Sequence, residues 1–334
     1  MAATKQNRCG SRCALANIVM SNLYIETPTL LSEPLSDRLG KPVWLKLENL
    51  QPSGSFKLRG IALLCQHEVA RGARALVSSS GGNAGIAVAY VGRKLSIPVR
   101  VVVPESTTEV ARNLVRAQGA ELHVHGASWY EADVYARQSL VAHEAYIHPF
   151  DHPLLWQGHS TMMDEVAGDG IKPGAVALSV GGGGLLCGVV AGLQRLGWSD
   201  VPILAMETSG AESFAAALAA GEVVRLPAIT SVASSLGARQ VCDQALLSAQ
   251  RHAVTSQVIS DAAALRACVT LLNQHQLLVE PACGAAIAAV TESSAYLQDA
   301  ESVLVIVCGG VTTTSGRLHE LLQHFEVRPD GALD

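Results

Sequence analysis

The chain reads as an α/β protein of two three-layer αβα domains with parallel-rich open sheets, and three observations carry that expectation. Short apolar runs alternate with stretches of helical periodicity from about residue 74 to residue 143. Runs of that kind, nearly continuous in apolar residues, mark parallel strands covered on both faces. The theme restarts after His159, and each half carries a glycine-rich loop directly behind an apolar run. Open parallel sheets bind ligands at such loops, outside the carboxyl ends of their strands.

In the first half, Ala75–Ser78 is expected as a strand, Asn83–Leu95 as a helix, Val99–Val103 as a strand and Thr107–Gln118 as a helix. Glu121–His125 then reads as a strand and Trp129–His143 as a helix. In the second half the strands are Val176–Val180, Ile203–Met206 and Val303–Val307, with helices between them. The division expected is a large domain of residues 21–50 with 154–334, a small domain of 51–153, and a disordered extension over 1–20. That extension has Lys5, Arg8 and Arg12 but no apolar run long enough for a signal peptide.

At 334 residues, 49% of them hydrophobic and 16% charged, the chain can build a substantial core. A net charge of −5, no basic stripe and only 4% aromatics leave nucleic acid and membrane surfaces with nothing to bind. Two long uncharged stretches, 75–92 and 175–193, are broken by glycine clusters and serines, which argues against membrane spans. Eight cysteines lie scattered with no C-x-x-C pair. This is neither a zinc pattern nor a disulfide framework, and it fits a reducing cytoplasm. The spacing of His148, His152 and His159 likewise fits no metal-ligand helix.

The chemistry lies in two segments. Lys57, in Ser53-Gly54-Ser55-Phe56-Lys57-Leu58-Arg59-Gly60, supplies an amine able to form a Schiff base. Gly181-Gly182-Gly183-Gly184-Leu185 supplies backbone N–H groups that no side chain obstructs, as a dianionic phosphate requires. Together they point to pyridoxal phosphate. The glycine run lacks the Gly-Lys-Ser/Thr of a P-loop and the third glycine of a dinucleotide fingerprint.

With Ser79-Ser80-Gly81-Gly82-Asn83-Ala84-Gly85, Glu280-Pro281-Ala282-Cys283-Gly284 and Val307-Cys308-Gly309-Gly310, these segments resemble the L-serine dehydratases, members of the fold type II, tryptophan-synthase-β-like pyridoxal phosphate enzymes. The resemblance runs from about Leu23 to the last helix. It implies an ammonia-lyase that removes water from L-serine, and from L-threonine, to give a 2-oxo acid and ammonia. Lys57 would carry the cofactor and then act as general base, Phe56 would pack on the ring, and Asn83 would hydrogen-bond the ring oxygen. Ser80, Gly81, Gly82, Asn83 and Ala84 would hold the substrate carboxylate, and Gly181 to Leu185 would wrap the phosphate. Cys308 would face the pyridine nitrogen, where a thiol, unlike a carboxylate, does not favour a protonated ring.

The same resemblance implies a monovalent cation, potassium by its chemistry, held by Glu207, Ala211 and Ser213 with backbone oxygens of Gly181, Leu236 and Ala238. It also implies a homodimer. Two departures from the family stand out. Gly81 replaces the usual alanine, or the serine with which racemases reprotonate the far face, and is expected to leave slack around the substrate. Val311-Thr312 replaces an asparagine-rich sequence. A β-replacement synthase of the cysteine-synthase kind would carry Ser-Val-Lys-Asp-Arg around the lysine, from which Phe56 and Leu58 depart. Threonine dehydratase and a non-catalytic cofactor-binding role stay open as alternatives.

Overall fold

The computed structural model describes residues 23–328, so the extension expected over residues 1–20 lies outside the described residues. The chain opens with β1 (Thr29–Leu31), α1 (Glu33–Leu39) and β2 (Val43–Lys46). Ser32 caps α1 by accepting the Leu35 N–H, and Gly40 ends it in the left-handed conformation. Next come α2 (Lys57–Ala70), β3 (Ala75–Ser78), α3 (Asn83–Leu95), β4 (Val99–Val103), α4 (Glu109–Ala117), β5 (Glu121–Val124), α5 (Trp129–Gln138) and β6 (Glu144–Tyr146). They are followed by α6 (Pro153–Gly168), β7 (Ala175–Ser179), α7 (Gly184–Arg195), β8 (Ile203–Thr208) and α8 (Ser213–Ala220). The chain continues through α9 (Asp243–Arg251), β9 (Val254–Ile259), α10 (Asp261–His275), α11 (Pro281–Thr291), β10 (Val303–Ile306) and α12 (Ser315–His324).

Two open sheets result. The smaller runs β5-β4-β3-β6 and is wholly parallel. The larger runs β1-β2-β10-β7-β8-β9, parallel throughout except at the β1 edge. Its central strands β7, β8 and β10 are buried along their whole length. Every residue of α11 is buried as well, packed across β7 and β8 beneath α10. Small residues from Ala282 to Ala289 allow that helix to lie close to the sheet. The two sheets are joined through α2, which packs on both α3 and α6. Among the described residues, no helix is long and apolar enough to cross a membrane.

Several boundaries differ from expectation, each for a local reason. The helix expected over 107–118 starts at Glu109, because Thr108 is its cap and accepts the Ala111 N–H. The helix expected over 129–143 stops at Gln138, and His143 turns at φ 68° into the unforeseen strand β6. The strand placed at 176–180 sits one residue earlier, and those at 121–125 and 303–307 each end one residue sooner. The strand placed at 203–206 continues to Thr208, where it pairs with β9.

Candidate active site

The loops behind β3, β7 and β10 converge on one cavity of about 920 Å³ between the sheets. The Lys57 segment is brought there by backbone pairing with the last of these loops. Ser55 and Gly309 form an antiparallel bridge, the Phe56 N–H donates to the Cys308 carbonyl at 3.0 Å, and the Gly310 N–H donates to Gly54 at 3.2 Å. Lys57 and Cys308 therefore meet across 251 residues because two loops zip together. Lys57 is the first residue of α2, and its Nζ donates to the Pro149 carbonyl at 2.9 Å. Burial pushes this amine down to about 8, against the pull of nearby acidic groups that include Glu280.

Two of the helix N-termini that open onto the same space are capped by glycine, with no side-chain cap. At α7 the cap residue is Gly183, with φ of +90°, a conformation glycine adopts without strain. A Cβ on Gly182 would fall inside the Phe150 ring, so the loop's close course depends on glycine. At α3 the cap is Gly82, whose N–H is held by Ser80 Oγ at 3.3 Å. By contrast α1, α4, α5, α10 and α12 are all capped by serine or threonine. The free N–H groups and dipole of an uncapped N-terminus form an anion site.

Phe56, Lys57, the run Ser80 to Ala84, the run Gly181 to Leu185 and Cys308 all line this cavity. Phe56 meets His159 edge-on at 4.8 Å between ring centres. Cys308 is nearly buried, with Ser179 Oγ at 3.5 Å from its sulfur and Cys283 beside it. Asn83 donates from Nδ2 to Glu280 at 2.7 Å, while its Oδ1 is buried without a partner.

The residues named for a cation fall in two groups. Gly181 lies against Leu236, and both line the cavity with Ala238. Glu207, Ala211 and Ser213 gather at the start of α8, where Glu207 accepts the Phe214 and Ala215 N–H groups at 2.8 Å each. The Ser213 hydroxyl there is buried without a partner. Burial raises the Glu207 carboxyl to about 7, despite those two N–H groups and the Ser256 hydroxyl.

One expectation is corrected. Gly81 does not leave slack, because a Cβ there would lie 2.6 Å from Thr107 Cγ2 and 3.0 Å from Val103 Cγ1. The branched side chain of Thr107 fills the slot. Two further site residues escaped the sequence reading: Phe150 backs the glycine loop and Trp129 lines the cavity. Thr312, named there only as part of a departure from the family, donates to Glu280 at 2.7 Å. His148 and His152 spend Nδ1 on backbone N–H groups, at 2.7 Å to Asp151 and 3.1 Å to Leu154.

A reactive buried amine, an uncapped N-terminus threaded by four glycines and a buried amide nitrogen that gives one of its two hydrogens to Glu280 suit an anionic, aldehyde-bearing ring, and pyridoxal phosphate fits all three. Residues 20–309 match the family of pyridoxal-phosphate dependent enzymes. The chain belongs to that family. Within it, the chain is 49% identical over 313 residues to a human serine dehydratase-like protein, covering 90% of this chain and 95% of the relative. It is 45% identical over 312 residues to a mouse L-serine dehydratase/L-threonine deaminase, covering 90% and 95%. A fungal L-serine ammonia-lyase from Rhizomucor miehei superposes with a TM-score of 0.87 at 35% identity, over 91% of this chain and 99% of that one. The fold is thus the type II fold of this family.

Proposed function

We propose that the chain is an L-serine ammonia-lyase that also accepts L-threonine, releasing pyruvate or 2-oxobutanoate with ammonia. The observation that supports this most is the cavity wall itself. Lys57 and Cys308, neither of them a carboxylate, both line it, brought together by the pairing of their loops. The names of the human, mouse and fungal relatives point the same way.

When bound, pyridoxal phosphate supplies an electron-withdrawing ring conjugated to the substrate nitrogen, which acidifies the α-carbon. The protein's residues do the rest. N–H groups of Gly181 to Leu185 at the start of α7 hold the phosphate, and Phe56 packs against the ring. The uncapped N-terminus of α3, with Ser80, Gly81, Gly82 and Ala84, orients the substrate carboxylate. Asn83 Nδ2 donates to the ring oxygen. Lys57 Nζ, largely neutral above pH 8, accepts the α-proton. Cys308 would leave the ring nitrogen without an anionic partner, so charge would not be stored in the ring but would stay at the α-carbon and expel the β-hydroxyl.

On this reading residues 51–153 form the small domain, and 21–50 with 154–334 the large one. Glu207, Ala211, Ser213, Gly181, Leu236 and Ala238 are the proposed potassium site, supported by the buried Glu207 carboxyl and the buried, unpartnered Ser213 hydroxyl. A cytoplasmic homodimer is part of the same proposal. The free thiols of the six described cysteines support a reducing compartment, and sedimentation of the purified protein tests the dimer. The rival class, β-replacement, is separated by offering L-serine alone and O-acetylserine with sulfide. Turnover of the first without the second supports the lyase; cysteine formation from the second without 2-oxo acid from the first overturns it.

A further inference from the structure

Glu280 has a place in the cavity wall that none of the roles above explains. It is 3% exposed, and it stands at the N-terminus of α11 on the larger sheet. Its carboxylate takes three neutral donors from three other segments. These are Asn83 Nδ2 at 2.7 Å, Ser235 Oγ at 3.0 Å and Thr312 Oγ1 at 2.7 Å. Asn83 opens α3, on the smaller sheet, so this bond spans the cavity floor from one sheet to the other.

Burial pushes the Glu280 carboxyl up, but its three donors and nearby Lys57 favour the carboxylate, and in that form it dictates how the Asn83 amide is turned. With Nδ2 inward, a hydrogen bond forms to Oε1. With Oδ1 inward, an amide oxygen would face a carboxylate oxygen at the same distance and repel it. Ser235 and Thr312 hold the carboxylate from its other oxygen, so it cannot swing away to accept the reversed amide. The second hydrogen on Nδ2 then has a fixed direction.

We propose that Glu280 is a positioning residue that fixes the side-chain flip of Asn83 and thereby presents an amide N–H to the cofactor ring oxygen. The inference rests on the cofactor family and not on the identity of the amino-acid substrate. A glutamine at 280 would keep its carbonyl oxygen where the Ser235 and Thr312 hydroxyls donate and so turn Nε2 towards Asn83. Nε2 would then donate to Asn83 Oδ1, turn the amide over, and remove the donor facing the ring.

The test is a double-mutant cycle on the dissociation constant of pyridoxal phosphate itself, titrated into apo-protein and followed by absorbance and by equilibrium dialysis. The expected result is that Glu280→Gln weakens binding about tenfold in the parent background, the effect of one hydrogen bond to a charged group. In an Asn83→Ala background the same change should weaken it less than about twofold, because Glu280 acts through Asn83. Equal factors in the two backgrounds, or parental affinity for Glu280→Gln alone, would overturn the proposal. If thermal unfolding shows that Glu280→Gln does not fold, the pair Ser235→Ala with Thr312→Val releases the carboxylate instead. Its effect must show the same dependence on Asn83, and independence overturns the proposal. No turnover is read, so a wrong substrate assignment leaves this result unchanged.

Discussion

Lys57 offers the clearest quantitative prediction. An ordinary lysine titrates near 10.5, whereas burial at the start of α2 brings this amine to about 8. At pH 7 that multiplies the neutral, nucleophilic fraction by roughly 300. The sign follows from the group. The neutral form is the one that attacks an aldehyde, so covalent capture of pyridoxal phosphate by apo-protein should accelerate as pH rises and level off above about 8. Stopped-flow absorbance across pH 6 to 11, with each sample then reduced by borohydride and its peptides mapped, measures both the midpoint and the residue. The pyridoxyl group should appear on Lys57, with a midpoint near 8. A midpoint near 10.5 would show that the amine is solvated, and label on any other lysine would remove Lys57 from its proposed role.

Substitutions at three positions extend the account. Cys308→Asp should place an anion beside the ring nitrogen, lose most dehydratase activity and build up long-wavelength absorbance with L-serine, while Cys308→Ala stays milder; parental spectra and rates for both would make Cys308 a packing residue. Gly182→Ala should weaken cofactor binding at least tenfold, because its Cβ would occupy the Phe150 ring and push the loop off the α7 N-terminus; unchanged affinity in a fluorescence titration would refute that. Glu48→Ala should cost the apo-protein about 3–5 kcal/mol in urea unfolding. It strips the buried Arg59 guanidinium of two bonds at 2.7 Å and leaves Glu165 as its one carboxylate partner, beside the Thr161 and Thr27 hydroxyls. A loss below about 1 kcal/mol would mean that Glu165 and solvent compensate.

Legibility in the sequence followed burial and punctuation. β3, α3 and β4 fall on the residues expected, because each apolar run ends at a serine, glycine or proline cluster. β6 was missed because three half-buried residues, Glu144, Ala145 and Tyr146, carry no apolar run. β9 was missed as an edge strand, where none of the six residues is fully buried. The glycine loop and Lys57 were legible from residue type, since few residues can do what they do. Glu280 was not, because a glutamate before proline reads as an ordinary helix start. Its meaning lies in a bond to an amide 197 residues away. Thr107 escaped for a similar reason: only the folded chain shows that it fills the space beside Gly81.

The stoichiometry of the reaction with L-serine tests the central claim most directly. The holoenzyme should release pyruvate and ammonium in equal amounts, measured in the same sample by lactate dehydrogenase and glutamate dehydrogenase coupling, with little D-serine on chiral chromatography. Serine consumed without pyruvate, or D-serine formed at a comparable rate, would contradict the ammonia-lyase assignment.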